Sequence, residues 1–373
     1  MDLTQPLPLL GGLSPQQFMR RHWQKKPLLV RQALPGATAP LPRAELFALA
    51  GSDAVESRLV VRGAAGWTLR HGPVPRRALP PLSQPAWTLL VQGLDLHLQA
   101  AHELLARFRF VPDARLDDLM LSYASDGGGV GPHLDSYDVF LIQVHGRRRW
   151  RIGRARDRSL VEGVPLKILR HFVPEHDWVL EPGDMLYLPP MWAHDGVALG
   201  ECMTASVGFR ASGAAEVSRE LLGRLAQDLE PIPGERLYGD ANQPATATPA
   251  AIPEALQVYA AEAVRRTLNE PQALLRALGV WLTEPKPRVW FDAPPRRPTL
   301  AGGVKLDRRS RMMYDARHVF INGESFRAGG VDARLLRQLA DRRGLAAAEV
   351  SRLSAEARAT LDDWADAGWL HGG

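Results

Sequence analysis

Residues 127–153 read GGGVGPHLDSYDVFLIQVHGRRRWRIG, and residues 181–194 read EPGDMLYLPPMWAH. Both combine turn-forming Gly or Pro with short runs of β-formers. The same rhythm extends from Leu119 to Phe209: LMLSYA, HLDSYDVFLIQV, RRRWRIG, KILRHFV, DWVLEPGD, MLYLPP, DGVAL and MTASVGF. Short strands at regular intervals with Gly/Pro turns predict an antiparallel barrel or sandwich.

Two residues apart on one strand, His133 and Asp135 would face the same side. A tight turn at EPGD, an apolar strand and the Pro189-Pro190 break would deliver His194 to the same mouth. Two imidazoles and one carboxylate on one side of a metal leave three positions open, the facial triad of non-haem Fe(II) oxygenases. His145, His171 and His176 are competing imidazoles without this turn–strand–turn setting. Along RRRWRI, Arg147, Arg149 and Arg151 share one face, and Arg148 shares the other with Trp150 and Ile152. With the apolar face inward, Arg148 is a cation inside the barrel and needs an anionic partner. The far carboxylate of 2-oxoglutarate, clamped bidentately, fits that need; an ion pair with a buried Asp or Glu is the structural alternative.

Outside this core, Ser14, Pro15 and Gln17 form an N-terminal signal for a helix over 16–23, with a strand at 27–30. Short strands, or strands with a late helix, are expected over 57–90 and a helix over 94–107. Helices are predicted at 216–229, 253–268 and 271–282, separated by a polar stretch, 230–252, and followed by a Pro-rich linker, 285–300. Asn322-Gly323 marks a hairpin. Helices at 332–343 and from Ser354 to Asp366, then a strand from Gly368, make a winged-helix arrangement or a small α+β module.

Composition bounds the function. With 45% hydrophobic and 23% charged residues, the 373-residue chain is neither disordered nor collagen-like. No apolar run reaches 18 residues, so no membrane helix is expected. The start MDLTQPLPLLGGL lacks secretory features, and a cytoplasmic protein is expected. The single cysteine, Cys202, excludes a disulfide framework or a Cys-built zinc site. The net charge of +5 allows an anionic partner such as RNA, but 41 of the 46 basic residues are arginines, a bias that GC-rich coding also produces.

The two quoted stretches, the closing SVGFR (206–210), FMRRHWQKKPLLVR (18–31) and SRLV (57–60) resemble the bacterial ribosomal oxygenases of the Jumonji-C group. The resemblance implies an α+β chain with a mainly β catalytic core: a double-stranded β-helix (cupin/Jumonji-C) barrel with its N-terminal extension over 1–211. It further implies a helical dimerisation region over 212–290 and a winged-helix-like domain over 291–373. It implies Fe(II) at His133, Asp135 and His194, with 2-oxoglutarate, anchored on Arg148, and O2 as co-substrates. The expected reaction is hydroxylation of a ribosomal protein, most similar to the family's action on the β-carbon of an arginine in large-subunit protein sixteen. Two positions depart from relatives: Ala124 replaces a co-substrate-binding serine, and Thr204 an asparagine. Ser122, Tyr123, Ser125 or Thr204 are candidate substitutes. Asp126 and Asp138 are candidate carboxylates for an arginine substrate, and Gly127–Gly129 would let the loop pass close to it. Demethylation of an N-methylated side chain and a non-catalytic ribosome- or RNA-binding module are the competing readings. For RNA contact, the candidate cluster is Arg308, Arg309 and Arg311.

Overall fold

The computed structural model describes residues 2–227, 229, 237–296 and 298–373. The predictions touching residues 228, 230–236 and 297 therefore fall partly outside the described residues. The chain divides into two compact units, Met1–Ala211 and Ser212–Gly373.

In the first unit, nine antiparallel strands form one sheet: β1 (Leu28–Val30), β2 (Ser57–Gly63), β3 (Gly66–His71), β4 (Trp87–Val91), β5 (Leu116–Ala124), β6 (Asp138–Arg154), β7 (His176–Leu180), β8 (Met185–Leu188) and β9 (Trp192–Phe209). Their order is β1-β8-β6-β9-β5-β4-β2-β3, with β7 also on β6. β6 pairs with β8 through Val139–Ile142 and with β7 through Arg148–Ile152, while β9 follows it along both stretches. The two long strands thus run from one half of a double-stranded β-helix to the other. Four short runs read as separate strands from the sequence are halves of these two strands. KILRHFV forms no strand; Leu169 contributes only a single bridge to Leu160.

A register shift separates the halves of β6. Pairing with β9 slips between Gln143 and Arg147, around Gly146 at φ 61°. A one-residue slip exchanges the two faces of a strand. Val139 and Leu141 face the interior before it, and Trp150 and Ile152 face it after, packing with Leu180, Leu186 and Leu188. Burying each such side chain is worth about 1.5–3 kcal/mol. The opposite face of β6, through Phe140, Ile142 and Val144, joins a second core beneath the N-terminal segment.

That segment contributes α1 (Pro15–Arg21), α2 (Arg43–Leu49), α3 (Leu94–His97) and α4 (Gln99–Ala106). Ser14 and Gln17 form the expected capping box, each side chain accepting from the other's backbone N–H at 3.2 and 3.0 Å. The helix stops at Arg21, and Trp23 packs edge-on against Phe209. The single helix expected over 94–107 is broken at Leu98, whose backbone is extended.

The second unit begins with α5 (Ala214–Gln227), α6 (Glu254–Leu268) and α7 (Pro271–Thr283). A winged-helix part follows: β10 (Gly303–Leu306), β11 (Met312–Tyr314), β12 (His318–Ile321), β13 (Glu324–Arg327), α8 (Gly330–Arg342), β14 (Gly344–Ala346), α9 (Ala347–Val350), α10 (Ala355–Asp366) and β15 (Leu370–Gly372). Asn322-Gly323 turns the β12–β13 hairpin, as its sequence predicts. Gly279 of α7 seats directly on the Phe320 ring, where a Cβ would lie 2.3 Å from it. The linker-side arginines are partly committed inside this unit. Arg309 binds Asp307 and the Trp290 carbonyl, and Arg311 donates to Leu282 O. Burial opposes the charge on Asp307, but hydrogen bonds from Arg309 and His371 outweigh it and hold the carboxyl down at about 2. Among the described residues no helix is long and apolar enough to cross a membrane.

Candidate metal centre

The EPGD turn is locked by its own aspartate. The buried Asp184 carboxylate accepts from the N–H groups of Glu181 and Gln32, each at 3.0 Å, and from Arg31 at 2.6 Å. Burial works against its charge, yet these donors together keep its pKa below the ordinary value. β8 then leads to Pro189-Pro190-Met191, where Met191 adopts φ 63°. Its N–H donates to the Asp135 carbonyl at 2.7 Å, tying the turn to the loop opposite.

His133 and His194 face each other across an isolated antiparallel bridge, exchanging two backbone hydrogen bonds of 3.0 Å. Their rings lie 4.2 Å apart between centroids. This corrects the expected geometry: Asp135 lies in a loop, so pairing of that loop with the start of β9 rather than strand alternation brings the three together. Each Nδ1 sits beside a carbonyl, Gly131 O for His133 at 2.8 Å and Trp192 O for His194 at 3.0 Å. With Nδ1–H donating there, both Nε2 lone pairs point inward. They stand 3.9 and 3.5 Å from Asp135 Oδ2.

One donor atom from each of the three residues lies within 4.8 Å of the others, the one such His/Cys/Asp/Glu group among the described residues. Burial, then the neighbouring His133, holds the His194 imidazole below its ordinary pKa and favours the neutral form that a metal ligand needs. Two oriented nitrogens, one carboxylate and one open side fit a facial-triad metal better than a closed structural zinc site. His145 and His176 are exposed elsewhere, the latter stacked on Trp178.

Arg148 is 4% exposed on the inward face of β6. Its Nη1 donates to Ser122 Oγ at 3.1 Å and Thr204 Oγ1 at 3.3 Å, and its Nη2 reaches Gly196 O at 3.4 Å. Trp150 lies beneath it, 5.2 Å from Cζ to ring centroid. Nε is buried without a partner. Among the described residues no carboxylate pairs with this guanidinium, so the structural ion pair considered for it is not formed. Burial of a cation without an anion is costly, and an anionic ligand would relieve that cost.

The remaining candidates separate. Ala124 is buried beside Ala198 and Cys202 and its side chain makes no polar contact. Ser125 bonds the Trp87 backbone, and Tyr123 donates to Glu201 on the other side of the sheet. Asp126 is exposed, with its carboxylate accepting from Gly200 N at 2.8 Å. Asp138 is a correction: it is fully buried, accepting from Tyr187 Oη at 2.6 Å, Gln24 at 3.1 Å and Arg115 at 3.2 Å. A carboxylate so enclosed braces the N-terminal segment and cannot meet a substrate. The Gly-rich loop is also structural, since a Cβ on Gly128 or Gly129 would collide with Trp87 O or Gly196 O at 2.4 and 2.6 Å.

Two residues at the site escaped sequence reasoning. Gln143 accepts from Thr204 Oγ1 at 2.9 Å; its signal is a lone amide in the apolar run VFLIQV. Tyr137 presents a partly exposed ring while its hydroxyl reaches Asp135; burial of that end, then the Asp135 charge, pushes the phenol up.

Residues 103–217 match the JmjC domain, and 265–371 match the ROXA-like winged helix. The chain is 36% identical over 285 residues to the ribosomal protein uL16 3-hydroxylase of Escherichia coli (strain K12), covering 75% of this chain and 74% of that one. It belongs to the JmjC ribosomal oxygenases. Solved E. coli ycfD superposes on this ribosomal oxygenase with a TM-score of 0.83 at 31% identity, over 95% of this chain and 97% of that chain. A YcfD complex with cobalt and 2-oxoglutarate matches with a TM-score of 0.80, the same identity and the same coverages. A probable ribosomal oxygenase from Haemophilus influenzae is 38% identical across 53% of this chain and 50% of its own.

Proposed function

We propose that this JmjC ribosomal oxygenase is an Fe(II)- and 2-oxoglutarate-dependent dioxygenase that hydroxylates the β-carbon of an arginine in large-subunit ribosomal protein uL16. The observation that carries the reading is the pairing of a two-histidine, one-carboxylate cluster with a buried arginine that has no carboxylate partner among the described residues. The uL16 3-hydroxylase of E. coli and the YcfD complex with 2-oxoglutarate support the substrate and co-substrate.

His133, Asp135 and His194 would hold iron from one side, with Gly131 O and Trp192 O orienting the imidazoles. When bound, Fe(II) with O2 and 2-oxoglutarate supplies the oxidation that inserts one oxygen into a C–H bond, with CO2 and succinate as the other products. Arg148 fixes the far carboxylate and so the depth of the co-substrate. Trp150, Ile152 and Leu188 line the interior with apolar surface and exclude water. Incubating the full chain with Fe(II), 2-oxoglutarate, O2 and recombinant uL16 is expected to add the mass of one oxygen to one arginine. Loss of a methyl group from a methylated substrate would favour the demethylase instead. Absence of succinate release with a full set of ribosomal proteins would favour a binding module.

The catalytic part is read as residues 1–211, supported by the compact first unit. The second boundary is better drawn before α7 than at 290/291, because Gly279 is seated on Phe320. A homodimer formed by the helical region is supported by Leu222, Val258, Val264 and Leu275, each 46–59% exposed. Leu222→Glu with Leu275→Glu is expected to halve the mass measured by light scattering; an unchanged mass would sink this interface. RNA contact through Arg308, Arg309 and Arg311 is weakened by the internal bonds of the last two. Action on a ribosomal protein supports a cytoplasmic place for the enzyme.

A further inference from the structure

Arg148 presents only one of its hydrogen-bonding edges. Nη1 donates to two hydroxyl oxygens, Ser122 Oγ and Thr204 Oγ1. Each hydroxyl has a single proton of its own, and each proton already has an acceptor: Thr204 O at 3.2 Å for Ser122, and Gln143 Oε1 at 2.9 Å for Thr204. The Gln143 amide has one favourable orientation. Its Nε2 faces His145 O at 2.8 Å and Gly146 O at 3.3 Å, and a flipped amide would set oxygen against both carbonyls. Those carbonyls lie at the register shift of β6, so the chain starts from backbone. On the opposite edge of the guanidinium, Nε is buried without a partner and Nη2 has one long contact to Gly196 O. Nε–H and one Nη2–H point the same way in the planar group, forming a two-donor fork that matches a carboxylate.

The geometry points to Gln143 as a positioning residue that, through the Thr204 hydroxyl, selects the edge of Arg148 offered to the co-substrate. The far carboxylate is held by Nε and Nη2, while Ser122 and Thr204 act on the arginine and give the ligand no hydrogen bond. The nearby Ala124, Ala198 and Cys202 form a small apolar cluster with no ionised group to compete for the guanidinium. This assignment rests on the reading of Arg148 as a dicarboxylate anchor. It also alters the role expected of Thr204 from co-substrate contact to support of the arginine.

The test is calorimetric titration of the Mn(II)-loaded full chain with 2-oxoglutarate and with 2-oxopentanoate, which has the same carbon chain but no far carboxylate. Gln143→Met and Thr204→Val are each expected to weaken 2-oxoglutarate binding about ten-fold, the scale of a hydrogen bond to a charged group. Binding of 2-oxopentanoate and of Mn(II) stays within about two-fold, which a general loosening of the fold would not allow. The double variant is no weaker than the weaker single one, and Thr204→Ser restores affinity. Unchanged or tighter binding in Gln143→Met, beside a loss in Thr204→Val, makes Thr204 a direct donor and overturns the proposal. If Gln143→Met does not fold, a crystal structure of the Mn(II)–2-oxoglutarate complex decides it. A carboxylate on Nε and Nη2 supports the assignment, and one bonded to Thr204 Oγ1 overturns it. Full 2-oxoglutarate affinity in Arg148→Met would remove the anchor reading itself, a separate failure.

Discussion

Asp135→Ala is expected to abolish turnover while leaving the fold intact. Asp135 is the one anionic donor of the three-residue cluster, and a divalent cation bound by two neutral imidazoles alone loses most of its electrostatic hold. Losing even an outer partner of a metal ligand costs about 10–100-fold in affinity, so removal of the carboxylate should exceed about 100-fold for Mn(II) or Fe(II). The side chain is 21% exposed, and its polar partners are the two histidines and the Tyr137 hydroxyl, so it supports little of the core. Titration with Mn(II), succinate release and the unfolding temperature without metal separate these effects. Turnover at the unsubstituted rate would end the metal-centre reading.

Arg148→Met should separate binding from stability in an unusual direction. The guanidinium is buried with an unpartnered Nε and, among the described residues, no carboxylate beside it, so no ion pair offsets its burial there. Replacing buried ionic groups with apolar ones of similar volume ranges from neutral to about 1–4 kcal/mol stabilising. The loss of hydrogen bonds to Ser122 and Thr204 acts against this gain, placing the metal-free variant at or above the stability of the parent chain. Affinity for 2-oxoglutarate should nevertheless fall by more than about 100-fold, beyond the loss of a single charged hydrogen bond, because both arms of a bidentate clamp are removed. Arg148→Lys should not recover it, since an ammonium cannot present a planar two-donor edge. Adding 2-oxoglutarate with Mn(II) should raise the melting temperature of the parent chain by mass action and leave that of Arg148→Met nearly unmoved. A strongly destabilised Arg148→Met that still binds the co-substrate would contradict both parts.

The legible part of the site was local. His133, Asp135 and His194 stand out because their chemistry and turn setting are written in contiguous residues, and the alternation around Arg148 needs only the period of a strand. Asp138 was not legible: at the head of an apolar run it reads as a solvated rim residue. Gln24, Arg115 and Tyr187, brought from three other segments, are what enclose it. Thr204 was visible as a departure from a family pattern, but its role depends on Gln143, 61 residues away.

By itself the amino-acid order determined the β-rich core, the identity of the three donor groups and the face of β6 that carries a buried cation, since periodicity and turn chemistry act over a few neighbouring residues. Tertiary structure alone decided that the two imidazoles meet through a backbone bridge, which acidic groups lie inside, and which edge of Arg148 stays open. Those outcomes depend on pairing between segments tens of residues apart, and no local preference encodes the direction of a hydroxyl proton or the register at which two distant strands join.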